Sequence, residues 1–424
     1  MKNVLIFLMT FAMTSLISGV SHSQVKGTIS GRVTDPSGNG LANVYVSAYN
    51  YSNNYWTMGT YTDGNGNYGL SVPKGTYKVR FFSPVSSGYY APEWYDNRAH
   101  PDISDLVTVT AFRTTTGINA TLEIGGAISG RVTNGSGSGL ANVSVDAHDL
   151  NDRWIATSIT DGYGNYSFTV PTGAYRLHFS PSPSNGYYAP EWYSDKRYFE
   201  NGDSIPVTLA QTTPNIDAQL EIGGTISGKV TTHTGVKGIA HVYVSASDLS
   251  DNWIEGSFTN SNGQYSFNVP VGTYKVEFHP LLPTQNTLYY APEWYNNRGY
   301  FQEADWVTVA ASQATTNING RFERGGAISG RVTDGSGNAI PNVYVQVYDQ
   351  SVNTIVFATV TTDGSGSFTI PLAAGNYKVG FFPAADDGNY SPQWYNRKSD
   401  FQSAEVLTVK KLTRSAITVV LETK

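Results

Sequence analysis

The phrase Tyr-Tyr-Ala-Pro-Glu-Trp-Tyr stands at Tyr89–Tyr95, Tyr187–Tyr193 and Tyr289–Tyr295, and returns as Asn-Tyr-Ser-Pro-Gln-Trp-Tyr at Asn389–Tyr395. Residues of these types at this spacing suit one chemistry well. Flat rings stack on the apolar faces of sugars, while tyrosine hydroxyls and a glutamate supply hydrogen bonds. The candidate ligand-binding residues are Tyr90, Glu93, Trp94 and Tyr95, then Tyr188, Glu191, Trp192 and Tyr193. Tyr290, Glu293, Trp294 and Tyr295 follow, with Trp394 and Tyr395 in the fourth copy. The matching partner is a polysaccharide or cell-surface glycan. The structural alternative makes Trp94 a lid folded back on its own core, with Pro92 fixing the loop. An indole carries enough apolar surface for burial alone to explain its repetition. A second tryptophan recurs upstream at Trp56, Trp154 and Trp253, and the fourth repeat has the aliphatic Ile355 nearby. Periodicity does not separate platform from lid.

Other chemistries find less support. Glycoside hydrolysis needs paired carboxylates. No second acid recurs beside Glu93, Glu191 and Glu293 within the phrase, and the fourth copy has Gln393. The histidines fall at different places in different repeats, and no nucleophile elbow, phosphate loop or zinc-protease motif is present. The turns Asp63–Asn67, Asp161–Asn165, Asn260–Gln264 and Asp363–Ser367 offer oxygens that suit calcium, but lack the calcium-loop spacing and its terminal glutamate. Asp, Asn and Gly are also what a tight hairpin requires. The expectation is a protein that is not an enzyme, with no catalytic residues, no metal and no cofactor. There is no cysteine, which removes disulfides and thiolate chemistry.

The phrase is carried by a repeat of about 100 residues, the size of one small domain and too long for a solenoid turn. Each repeat opens Ile-Ser-Gly-(Arg/Lys)-Val-Thr, at Ile29, Ile128, Ile226 and Ile328, and Gly-Gly separates successive repeats at 125–126, 223–224 and 325–326. Within the first, apolar residues alternate with period two, as in Val44, Val46, Ala48 and again Tyr77, Val79, Phe81. The expected strands are 28–34, 44–49, 56–62, 67–72, 76–82, 106–110 and 117–123, parted by Gly, Pro, Asn and Asp turns. Seven short strands and no amphipathic helix make a β-sandwich. The domains expected are 24–125, 126–223, 224–325 and 326–424, after a segment 1–23.

Ile29–Asp35, Leu41–Val46, Thr62–Tyr68 and Pro73–Val79 together form a string that resembles the carboxypeptidase regulatory-like domain. That module belongs with transthyretin-like, Cna B-type and starch-binding-like sandwiches. The resemblance covers the first half of all four repeats and is to an Ig-like or transthyretin-like sandwich; with the strands read in each repeat and the short Gly-Gly linkers, the expectation is an all-β chain of four tandem seven-stranded sandwiches in an extended row. It also implies an extracellular accessory module, in some relatives a carbohydrate binder or an adhesin stalk. Cna B-type relatives use an internal isopeptide bond from a first-strand lysine. Here that position holds Arg32, Arg131, Lys229 and Arg331, and arginine is not deprotonated in proteins. Only Lys229 with Asn319 keeps a possible pair.

Residues 1–23 read as a signal peptide: Lys2, the apolar run Val4–Ile17, and small residues before a cleavage point at Ser23–Gln24. The chain is expected to be secreted, extracellular or periplasmic. A net charge of −6 with 14% charged residues speaks against nucleic acid as a partner, and no later stretch suits membrane insertion. The oligomeric state stays open. The expected function is a secreted, non-catalytic carbohydrate-binding-like or adhesive protein; the alternative is a structural stalk or matrix protein without a glycan ligand.

Overall fold

Period-two alternation becomes strands throughout a computed structural model, which describes residues 25–51, 56–280, 290–299, 301–350, 354–355, 360–383 and 390–423. The expected signal peptide lies outside the described residues. The first unit has strands β1 (Lys26–Thr34), β2 (Tyr45–Asn50), β3 (Trp56–Tyr61), β4 (Asn67–Pro73), β5 (Gly75–Phe82), β6 (Glu93–Trp94), β7 (Val107–Val109), β8 (Thr114–Thr115) and β9 (Ala120–Thr121). One sheet sets β4 antiparallel to β1, with β8 and β9 parallel to β1 on its other side. The second runs β3-β2-β5-β6, and β7 also pairs with β5. Ile29, Val33 and Leu70 of the first sheet meet Val46, Val79 and Phe81 of the second in one core. Three further sandwiches repeat this plan, each with its own core cluster. The chain is all-β, in tandem sandwich domains.

The turn before β4 shows why the sequence folds this way locally. Asp63 Oδ1 accepts from the backbone N–H of Asn65 and of Asn67, at 2.9 and 2.8 Å. Gly66 takes φ +83°, open to glycine without strain. β4 then buries Tyr68, Leu70 and Val72 while its alternate residues face out.

The strand count departs from seven in two ways. The phrase contributes a strand of its own, Glu93–Trp94, and the expected last strand is met as two short pieces, β8 and β9. A side chain interrupts the ladder between them. Asn119 Oδ1 accepts from the N–H of Arg32 at 2.9 Å, taking the place of a backbone carbonyl. Asp217 does the same for Arg131, and Asn319 for Lys229, at 2.8 and 2.9 Å. In the fourth unit Thr418 pairs with Arg331, and the last strand runs unbroken from Arg414 to Val420. Asn319 is thus engaged by the backbone N–H of Lys229.

The first two glycine pairs are hydrogen-bonded on both sides. Gly125 donates its N–H to Tyr89 O in the first unit at 2.7 Å and accepts from Ala210 N in the second at 2.7 Å. A Cβ on Gly125 would lie 2.1 Å from Val170 O, so only glycine lets the two units close on one another there. Gly223 repeats both bonds, donating to Tyr187 O and accepting from Ser312 N.

Candidate functional site

The phrase is a strap across one end of each sandwich. Backbone bonds fix it: Ala91 N donates to Glu123 O and Tyr95 N donates to Val79 O, both at 2.9 Å. In the two-residue strand β6, Glu93 stands opposite Phe81 and Trp94 opposite Arg80. Side chains alternate along a strand, so Glu93 turns toward the sandwich and Trp94 away from it. Tyr90 and Tyr95 pack against the core of their own unit, and so do Tyr188 and Tyr193, Tyr290 and Tyr295, and Tyr395.

Trp94 is 1% exposed and Trp192 4%, while Trp294 and Trp394 are half-buried. Trp94 is buried in a different place from a lid. It forms a cluster with Tyr49 and with Trp154 of the second unit, apart from its own core. Arg80 completes the joint. Its guanidinium lies over the Trp154 ring at 4.5 Å, and its Nη2 donates to Ile155 O at 3.1 Å. Thr169 Oγ1 donates back to Ser83 O at 3.2 Å.

The second junction keeps the plan and changes the chemistry. His178 stands opposite Trp192, as Arg80 does opposite Trp94. The His178 ring lies 4.7 Å from Trp192 and 5.6 Å from Trp253 of the third unit. Ser180 Oγ donates to Glu255 Oε2, and Tyr198 OH to Asp248 Oδ2, each at 2.7 Å. His178 Nε2 and Glu255 Oε2 are 4.0 Å apart, too far for a hydrogen bond. Burial lowers the His178 pKa to about 3 and raises that of Glu255 to about 8, so we read this contact as neutral rather than as an ion pair. At the third junction Glu277 occupies the Arg80 position, opposite Trp294. Residues 351–353 and 356–359, around Ile355, lie outside the described residues.

The phrase glutamates face inward. Burial raises the pKa of Glu93 and Glu191 to about 8 and of Glu293 to about 7, with neighbouring carboxylates adding to the shift. Among the described residues, the Oε1 atoms of Glu93 and Glu191 are buried without a hydrogen-bond partner. The other two copies show what the position reaches. Glu293 Oε1 accepts from the Arg321 N–H at 2.6 Å, and Gln393 Nε2 donates to Val420 O at 3.0 Å. Arg321 and Val420 hold the same place in the last strand, opposite Thr231 and Thr333. The side chain ties one sheet to the other.

Residues that differ between units leave no repeat in the sequence. Arg80 and His178 make the junctions, yet their position reads Arg, His, Glu and Gly in the four units. Trp306 was missed for the same reason. It lies outside the phrase, occurs once, and is 66% exposed. Its being an unrepeated tryptophan was the available signal. Among the described residues no group of three or more His, Cys, Asp or Glu side chains is placed to hold a metal, and no helix is long and apolar enough to cross a membrane.

A family model for the carboxypeptidase regulatory-like domain matches residues 28–123, 127–221, 225–285 and 327–421. The chain is 25% identical over 403 residues to serine-aspartate repeat-containing protein F of Staphylococcus epidermidis, covering 82% of this chain and 24% of that one. It is 26% identical over 387 residues to serine-aspartate repeat-containing protein D of Staphylococcus aureus, covering 81% and 28% respectively. The chain thus spans about a quarter of the length of the curated relatives it matches. Among solved structures it is similar to the Bacillus anthracis TIE protein, with a TM-score of 0.20 and 11% identity, over 95% of this chain and 76% of that one. Another is the major pilin subunit of Bacillus cereus, with a TM-score of 0.19 and 9% identity, over 94% and 100%.

Proposed function

The chain belongs to the carboxypeptidase regulatory-like domain family, four times over, and from that premise we propose that it is a non-catalytic spacer of the cell surface or extracellular space, stiffened by its own repeats. The observation that carries this reading is the Tyr49–Trp94–Trp154 cluster. A tryptophan that recurs in all four phrases is spent, in the first, on joining two units. In this reading the domains meet at the glycine pairs, with 24–125, 126–223, 224–325 and 326–424 as the folding units. Trp94, Trp192 and Trp294 are junction residues, the phrase tyrosines close each core, and Glu93, Glu191 and Glu293 tie the sheets. Small-angle scattering of residues 24–424 tests it. Four units of roughly 35 Å in line give a maximum dimension on the order of 140 Å. The double variant Trp154→Ala/Trp253→Ala should broaden the distance distribution as the joints loosen. A compact particle, or a variant indistinguishable from wild type, would remove the spacer reading.

A second reading keeps a glycan ligand but moves it. Exposed Trp306 stands beside Asp305, which Asn296 and Arg298 hold at 2.6 and 3.3 Å. An open indole beside fixed polar groups is the arrangement sugar stacking needs. Retention on a glycan array that disappears in Trp306→Ala, with melting unchanged, would support it.

A further inference from the structure

The first and second internal junctions each join two unlike faces. The unit that comes first offers its phrase tryptophan and the residue opposite it; the unit that follows offers its β3-type edge strand. Strand register identifies that edge position in every described case: Trp56 pairs with Tyr49, Trp154 with His148 and Trp253 with Ser247. Two residues on, Met58, Ala156 and Glu255 correspond in the same way. Where a unit precedes, this edge is largely covered: Trp154 is 3% exposed, Ala156 0% and Glu255 3%, and Trp253 is half-buried. On the first unit it is open, with Trp56 49% exposed and Met58 36%. The complementary face recurs on the fourth unit. Trp394 stands there opposite Gly380, half-buried, with Phe382 packed edge-on at 5.9 Å and Tyr348 at 5.1 Å.

We infer that these two faces dock on one another between copies of the chain, the Trp56 edge of one on the Trp394 face of the next, continuing the internal junction from molecule to molecule. The charge pattern suits this pairing. Arg80, His178 and Glu277 stand opposite the tryptophans of the first three units, each an ionisable side chain, whereas Gly380 puts no ionisable side chain opposite Trp394. Docking the uncharged Trp56–Met58 edge there sets apolar side chains against Trp394 and asks for no ion pair across the Gly380 position. The two faces are different, so the association is heterologous. It grows as an open chain unless the rotation per copy happens to close a ring. The inference stands on the exposure of Trp56 and Met58 against their counterparts in the second and third units, and does not require the spacer reading.

Sedimentation velocity and equilibrium of residues 24–424, from low micromolar to near-millimolar concentration, test it. The average mass should rise past that of a dimer with concentration. Trp56→Glu should weaken self-association by at least about tenfold, the scale of an interface hot spot, and leave the melting temperature unchanged because Trp56 is exposed. The same variant keeps its Trp394 face, so in excess it should cap growing wild-type chains and shorten them. A monomer at every concentration overturns the inference. So does a dimer that grows no further, or growth that Trp56→Glu leaves intact. Retention of a polysaccharide by Trp56 in a strictly monomeric protein would assign that edge to a sugar instead.

Discussion

The guanidinium of Arg80 in the first unit lies 4.5 Å from the ring centroid of Trp154 in the second, and the same group donates to the neighbouring Ile155 carbonyl. One planar cation thus covers an aromatic face and caps a backbone acceptor on an edge strand, a combination that lysine does not reproduce.

The first prediction follows from that contact. Arg80→Lys should loosen the first junction without unfolding either unit, and Trp154→Ala should cost about 3–5 kcal/mol, the range for emptying a buried aromatic site. Calorimetry of the whole chain reads both. Wild-type units that melt together should melt as separate transitions in Trp154→Ala, and an unchanged thermogram would mean the joint carries no stability.

The phrase glutamates set a pH dependence. The folded pKa of Glu93 is raised from 4.5 to about 8, so between these values the folded state holds a proton that the unfolded state has lost. Stability from this group is complete below about 4.5, declines through neutrality and is gone above about 8. A protonated acid can donate and accept where a carboxylate only accepts, which is how Gln393 already works in the fourth unit. Glu93→Gln should therefore raise stability at pH 8 by on the order of 1 kcal/mol, the scale of one buried hydrogen bond, and flatten the pH profile. Chemical denaturation between pH 4 and 9 measures it; a Gln variant that is less stable at pH 8 contradicts the assignment.

The second junction should respond to alkali in its own way. Glu255 is 3% exposed in the joint and burial raises its pKa to about 8, with Asp146 adding repulsion. The sign is the same: stabilisation is present at low pH and lost as pH rises through about 8. His178, held neutral by burial, offers no compensating charge there. Above pH 8 the second and third units should uncouple before the first and second. Hydrogen exchange at Trp253 and Ile254 should speed up accordingly, and Glu255→Gln should abolish the effect.

Calcium should do nothing to the Asp-Asn-Gly turns. Asp63, Asp161 and Asp363 each spend Oδ1 on two backbone N–H groups of their own turn, and Asn260 does the same. A cation bound at a hundred times its dissociation constant would add about 2.7 kcal/mol per site. A melting temperature that rises by several degrees with calcium and falls with chelator would show the turns to be metal loops.

Fold class was readable in the chain because its signals are local. Period-two alternation in Val44–Ala48 and Tyr77–Phe81, and glycine where Gly66 needs φ +83°, act through neighbours a few residues away. Four copies of the same pattern made the unit visible as well. What Trp94 does was beyond that reading, since a tryptophan buried in its own core and one buried in the next unit leave the same periodicity. Only the packing of Trp94 on Trp154 separates them. The split of the last strand escaped too, because it depends on Asn119 reaching Arg32 across 87 positions of chain. The junction partners Arg80 and His178 were hidden for a further reason: each unit meets a different neighbour. The position opposite the phrase tryptophan is matched to what lies across the joint and so differs from unit to unit, and a contact between two domains leaves no period in either.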